Sequence, residues 1–193
     1  TDLGNAQPGD LVLAQTGGKA HRPTARIVEV LGDPFAPRSF SLIAIHEKGI
    51  PSVFPDEVLD EAKTVAAHDL GPREDLRDLP IITIDPADAR DHDDAVWAAP
   101  DDDAGNPGGW RAIVAIADVS FYVRPGSDLD REARKRGNSV YFPDRVVPML
   151  PELLSADVCS LVEHVDRAGI ACHLQLAADG SLKSQLFTRA VIR

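Results

Sequence analysis

The chain has 193 residues, 44% hydrophobic and 26% charged, an ordinary globular composition with enough apolar material for a core. No apolar run approaches the roughly 18–20 residues that span a bilayer, and the first ten residues lack the basic flank and apolar stretch of a secretory signal. A formal charge of −11 speaks against a polyanionic partner unless bound cations or local basic clusters offset it.

Both offsets are visible in the sequence. Eight of the acidic residues fall between Asp85 and Asp103, and six basic residues fall between Arg124 and Arg145. Cys159 and Cys172 form no metal-type pair, so they are expected to be reduced, buried thiols of a cytoplasmic protein.

Taken in order, Gly9 to Ala14, Thr24 to Leu31 and Ser39 to His46 are short β-branched or alternating runs separated by Gly, Pro and Asp. They predict three strands of a small barrel within residues 1–55. Three strands cannot close a five-stranded oligonucleotide-binding barrel, so only part of one is expected. From Asp56, a candidate N-cap, the spacing of Val58, Leu59, Ala62, Val65 and Ala66 predicts a helix to about His68. A polar connector over 71–80 marks a boundary. Ile81 to Ile84 then reads as a buried strand ended by Asp85 and Pro86.

Asp101 to Gly109 predicts a solvated hairpin loop, and Trp110 to Val123 a central strand. Ser127 or Asp128 is placed to cap a helix that ends at Gly137, with acids in its first turn and bases in its last. That charge order serves the helix dipole, and holding phosphates is the second use open to it. Asn138 to Leu161 is a Pro-punctuated path with one short helix near Glu152 to Leu154. The chain closes on a hairpin turning at Asp179-Gly180.

The chemistry is concentrated between Asp85 and Asp94. Within nine residues of Asp85 come Asp88, Asp91, Asp93 and Asp94, answered by the single Arg90. Carboxylates so crowded raise one another's pKa unless a cation sits among them, and Mg²⁺ takes such oxygen ligands while keeping waters for chemistry. Metal-assisted phosphodiester hydrolysis would use them, since two ions roughly 3.5–4 Å apart can activate water and stabilise a leaving oxyanion. A structural ion and a solvated acidic loop remain open on composition alone. An EF-hand is excluded, because the spacing lacks its Gly and terminal Glu.

The segments IDPADARDHDDA (84–95), VAIADVSFYVRPGSDLDREARKRGNSVYFPDRVVPMLPELLSADVCSL (114–161) and VDRAGIACHL (165–174) closely resemble the ribonuclease R/ribonuclease II family of processive 3′→5′ exoribonucleases with an RNB catalytic domain. The likeness continues upstream through GDLVLA, ARIVEVLGD and DLRDLPIITID. It implies a mixed α+β fold: residues 1–55 as the later part of a cold-shock (OB-like) domain, 56–80 as helix and connector, and 81–193 as the first part of the RNB domain. It also implies Mg²⁺-dependent hydrolysis of RNA from a single-stranded 3′ end to nucleoside 5′-monophosphates, with Mn²⁺ as a possible substitute.

By the same resemblance Asp85 and Asp94 are the firmest metal ligands and Asp91 a further ligand or its support. Asp93 is the aspartate most needed for catalysis, while Asp88 has no counterpart. Tyr141 would stack on a nucleotide, a contact suited to an enzyme that accepts every base. His92 stands where the family has an apolar residue, and it is expected to pack as one. The starting Thr1 and the ending at Arg193 suggest a piece of a longer chain, with little processive activity alone. A non-cleaving RNA-binding or scaffold module with an RNB-like core is the alternative, and the intact aspartates weigh against it.

Overall fold

The computed structural model describes residues 4–19, 21–87 and 89–193, so Asp88 lies outside the described residues. In chain order the elements are β1 (Leu11–Lys19), β2 (Arg22–Gly32), α1 (Pro37–Lys48), α2 (Asp56–Ala66), β3 (Glu74–Asp75), β4 (Asp94–Pro100) and β5 (Trp110–Ala117). They continue with α3 (Val119–Tyr122), α4 (Asp128–Arg136), β6 (Val140–Phe142), β7 (Arg145–Val147), a π-helical turn (Leu154–Val158), β8 (Arg167–Leu176) and β9 (Leu182–Ile192). The chain divides into two compact units, Thr1–Val53 with Ser139–Val147, and Phe54–Asn138 with Pro148–Arg193.

In the first unit β1 and β2 form an antiparallel pair, and β6 and β7 form a second small hairpin. The third expected strand is instead the helix α1. Pro37 stands in its first turn, and Gly49, with φ 63°, caps its end by donating its N–H to the carbonyl of His46. The alternation of SFSLIAIH suggested a strand, but helical spacing brings Ser41 and Ile45 together on the buried side and leaves Phe40 exposed. The Ser39 hydroxyl donates to the Asp33 carbonyl at 2.6 Å, and that of Ser41 donates to the Asp144 carboxylate. Two strand pairs and a helix are therefore described here, with no closed barrel among the described residues.

The second unit is built on a five-stranded sheet of order β3-β9-β8-β5-β4, antiparallel except where β3 lies parallel to β9. Its buried side is lined by small residues, among them Ala95, Ala115, Ala171 and Ala190. These belong to one apolar cluster with Val58, Ala62 and Val65 of α2, Leu129 of α4, and Leu154. Helix α2 starts one residue off expectation: Pro55 occupies the N-cap and Asp56 is the first helical residue, where its charge still favours the helix dipole. In α4 the Ser127 side chain accepts the Asp130 N–H, and Gly137 takes a φ of 81° at the end. The closing hairpin turns at Gly180, whose N–H donates to Ala177 at 2.9 Å.

Two predicted strands are altered. Ile81 to Ile84 is no buried strand: Ile82 makes one bridge to Val96, and Ile82 and Ile84 are 56% and 80% exposed. Pro80 and Pro86 bracket the run, and neither can donate to a ladder. The strand expected over 110–123 stops at Ala117, because Asp118 leaves the sheet and begins the single turn of α3.

Asp118 explains that departure. Its side chain is 0% exposed, and Oδ2 is met by Arg73 Nη1 at 2.9 Å and Arg189 Nη1 at 3.2 Å, while Ser120 donates to Oδ1 at 2.7 Å. A buried carboxylate is tolerated only when paired and hydrogen-bonded in this way. Asp118→Ala would leave the buried Arg73 uncompensated, a loss of about 3–5 kcal/mol that chemical denaturation would register.

Candidate active site

The acidic loop runs from Asp85 into the start of β4 and is tied down through its backbone. The Ser160 hydroxyl donates to the Arg90 carbonyl at 2.9 Å and accepts the His92 N–H at 3.0 Å. The Leu161 N–H donates to the His92 carbonyl at 2.9 Å. On the other flank the Ala117 N–H donates to the Asp93 carbonyl, also at 2.9 Å. Asp94 is the first residue of β4, opposite Ile116 of β5.

Four predicted site residues fall within this loop or at its exit. Asp85 is half-buried, with Oδ2 2.9 Å from Nδ1 of His92. Asp91 is half-buried, whereas Asp93 and Asp94 reach solvent. Partial burial raises the Asp93 carboxyl above the ordinary carboxylate range, and the charges of Asp91, Asp94 and Asp85 raise it further. The four aspartates therefore share one electrostatic field. Among the described residues, however, no three His, Cys, Asp or Glu side chains converge closely enough to hold a metal ion.

The donor set nonetheless fits a hard divalent cation in chemistry: its ligands are carboxylate oxygens, and their mutual repulsion would be relieved by one. His92 does more than pack as an apolar residue would, since its ring engages Asp85. Tyr141 belongs to the other unit, where it stands on β6 and is 65% exposed. Sequence reasoning missed Ser160. The one available signal was a hydroxyl set between Cys159 and Leu161 in an apolar stretch, where a buried polar group must find partners. Cys159 is free and buried, its thiol pushed up to about 12 by burial and by the charges of Asp93 and Asp118, while Cys172 is free and half-buried.

Comparison with known proteins places these features. The RNB domain family matches residues 73–193, and the cold shock domain family matches residues 1–55. Ribonuclease R of Acidithiobacillus ferrooxidans is 47% identical over 186 residues, covering 94% of this chain and 41% of the relative. Ribonuclease R of Escherichia coli (strain K12) is 45% identical over 184 residues, covering 93% of this chain and 22% of the relative. The chain belongs to the RNB-domain family of ribonuclease R and ribonuclease II. It spans less than half the length of these two relatives.

Among solved structures, Mycoplasma genitalium RNase R in complex with ribose-methylated single-stranded RNA superposes with a TM-score of 0.82 at 29% identity, over 97% of this chain and 30% of that one. Yeast Ssd1, described as a pseudonuclease, shares the fold with a TM-score of 0.64 at 20% identity, over 95% of this chain and 24% of that one.

The raised Asp93 carboxyl has a consequence for stability. The native state holds that proton more tightly than the unfolded chain, so stability falls as pH rises from the ordinary carboxylate value through the raised one. In metal-free buffer at neutral pH, Asp93→Asn is therefore expected to raise the melting temperature. Thermal unfolding at lower pH should show that gain shrink as the wild-type residue takes up its proton.

Proposed function

We propose that this chain carries the metal-binding acidic face of a Mg²⁺-dependent, processive 3′→5′ exoribonuclease that hydrolyses RNA to nucleoside 5′-monophosphates. Residues 1–55 serve as a cold-shock segment, 56–80 as helix and connector, and 81–193 as the catalytic segment. The observation that carries this reading is electrostatic: Asp91, Asp94 and Asp85 all act on the carboxyl of Asp93, within a loop whose backbone is fixed from both sides. Membership of the RNB family and the RNA complex of the M. genitalium relative support it.

In this reading Asp85, Asp91 and Asp94 hold the cation. Bound Mg²⁺, or Mn²⁺ in its place, would supply a water activated at neutral pH and charge to stabilise the leaving oxygen. Asp93, whose carboxyl is pushed up by partial burial and by the charges of Asp91, Asp94 and Asp85, is the aspartate on which turnover depends. His92 sets the orientation of Asp85 through its ring nitrogen. Tyr141 offers an exposed face on which a base near the 3′ end can stack without regard to identity. Among the described residues no helix is long and apolar enough to cross a membrane, and a cytoplasmic site of action agrees with the free thiols.

The test belongs on the full-length gene product. With single-stranded RNA and a Mg²⁺ or Mn²⁺ titration, Asp93→Asn should bring hydrolysis down to background while RNA binding, followed by fluorescence anisotropy, persists. Retained hydrolysis by Asp93→Asn, or hydrolysis indifferent to chelation, would sink the assignment. Tyr141→Ala should weaken RNA binding by about 1–3 kcal/mol, equally for different sequences. Residues 1–193 alone should degrade RNA poorly, because phosphate contacts supply most nucleic-acid affinity and this chain carries a charge of −11.

A further inference from the structure

The acidic loop poses a mechanical problem. Like charges in one loop push its backbone apart, and a lysine or arginine placed to hold them would neutralise the carboxylates and compete with any cation. A neutral hydroxyl buried behind the loop avoids both. Ser160 is 0% exposed, and its single hydroxyl is used in both directions, as donor to the Arg90 carbonyl at 2.9 Å and acceptor from the His92 N–H at 3.0 Å. Asp91 is the residue between those two anchored positions.

The next residue repeats the grip, for the Leu161 N–H donates to the His92 carbonyl at 2.9 Å. With its backbone held on both sides, His92 brings Nδ1 within 2.9 Å of the Asp85 carboxylate. One hydroxyl thus reaches Asp91 through the adjoining peptides and Asp85 through a histidine ring. Ser160 itself brings no charge to the loop.

We propose that Ser160 is a positioning residue for the aspartate array: its hydroxyl fixes the 90–92 backbone so that Asp91 and Asp85 present their oxygens to a divalent cation. This rests on the assignment of the four aspartates given above. Ser160 touches neither cation nor substrate, and its effect is read through metal affinity. Supporting groups behind metal ligands alter affinity or activity by about 10- to 100-fold when removed.

The experiment uses the full-length gene product. Mn²⁺ binding is followed by isothermal titration calorimetry without RNA, and the Mg²⁺ concentration giving half-maximal RNA hydrolysis is measured separately. Ser160→Ala is expected to weaken Mn²⁺ binding about 10- to 100-fold and to shift the Mg²⁺ requirement in the same direction. RNA affinity in the presence of a chelator should stay unchanged. Ser160→Thr, which keeps the hydroxyl, is expected to recover most of the loss.

A purely structural role would give a different signature, since partial unfolding lowers binding stoichiometry and leaves the dissociation constant of the folded molecules as it was. An unchanged dissociation constant in Ser160→Ala, or a Ser160→Thr variant as impaired as Ser160→Ala, overturns the positioning role. A wild-type protein that neither binds Mn²⁺ nor degrades RNA overturns the aspartate assignment itself, and the role of Ser160 falls with it.

Discussion

The buried carboxylate of Asp118 governs the geometry of the second unit. Removing a charge from water is costly, and here two guanidinium groups and a hydroxyl offset that cost. Arg73 is committed further: it donates to the carbonyls of Leu70 and Gly169, and its guanidinium lies 4.9 Å from the centre of the Phe121 ring. The connector before β3, the end of β5 and strand β9 therefore meet at one point. The residue before Asp118 donates the N–H that holds the Asp93 carbonyl. A structural ion pair and the acidic loop are in this way neighbours along the chain.

The two charged systems are handled by opposite means. Around Asp118, charge is cancelled by charge in the interior. Around Asp93, charge is left standing at the surface, and the backbone beneath it is held by neutral donors and acceptors. The raised Asp93 carboxyl is the cost of that arrangement. Fold alone does not assign activity, because a pseudonuclease and a ribonuclease R both superpose on this chain. The distinction has to be sought in the side chains of the loop.

Much of the architecture was legible where the signal was local. Helix α4 announced itself through Ser127 at one end and Gly137 at the other, and the β8–β9 hairpin through Asp179-Gly180. The carboxylate cluster was equally plain, being contiguous. Short alternating runs misled, as in SFSLIAIH, where Pro37 and Gly49 carried the better evidence for a helix. Ile81 to Ile84 misled for a related reason, since Pro86 reads as the end of a buried strand, whereas Pro80 and Pro86 together leave the run too short to pair beyond one bridge. The ties that shape the site were illegible: Ser160 lies 70 residues from Arg90, and no local pattern links them.

The π-helical turn that precedes Ser160 carries an extra residue compared with an α-helical turn, closed by the Cys159 N–H donating to Leu154 at 2.9 Å. That surplus is a phase adjustment. Shortening it by a single codon would restore ordinary winding, yet everything downstream would swing by about 100° about the axis. The hydroxyl would then point elsewhere. Tolerance to insertion and deletion should accordingly collapse over these five positions, in a stretch that contains none of the four aspartates.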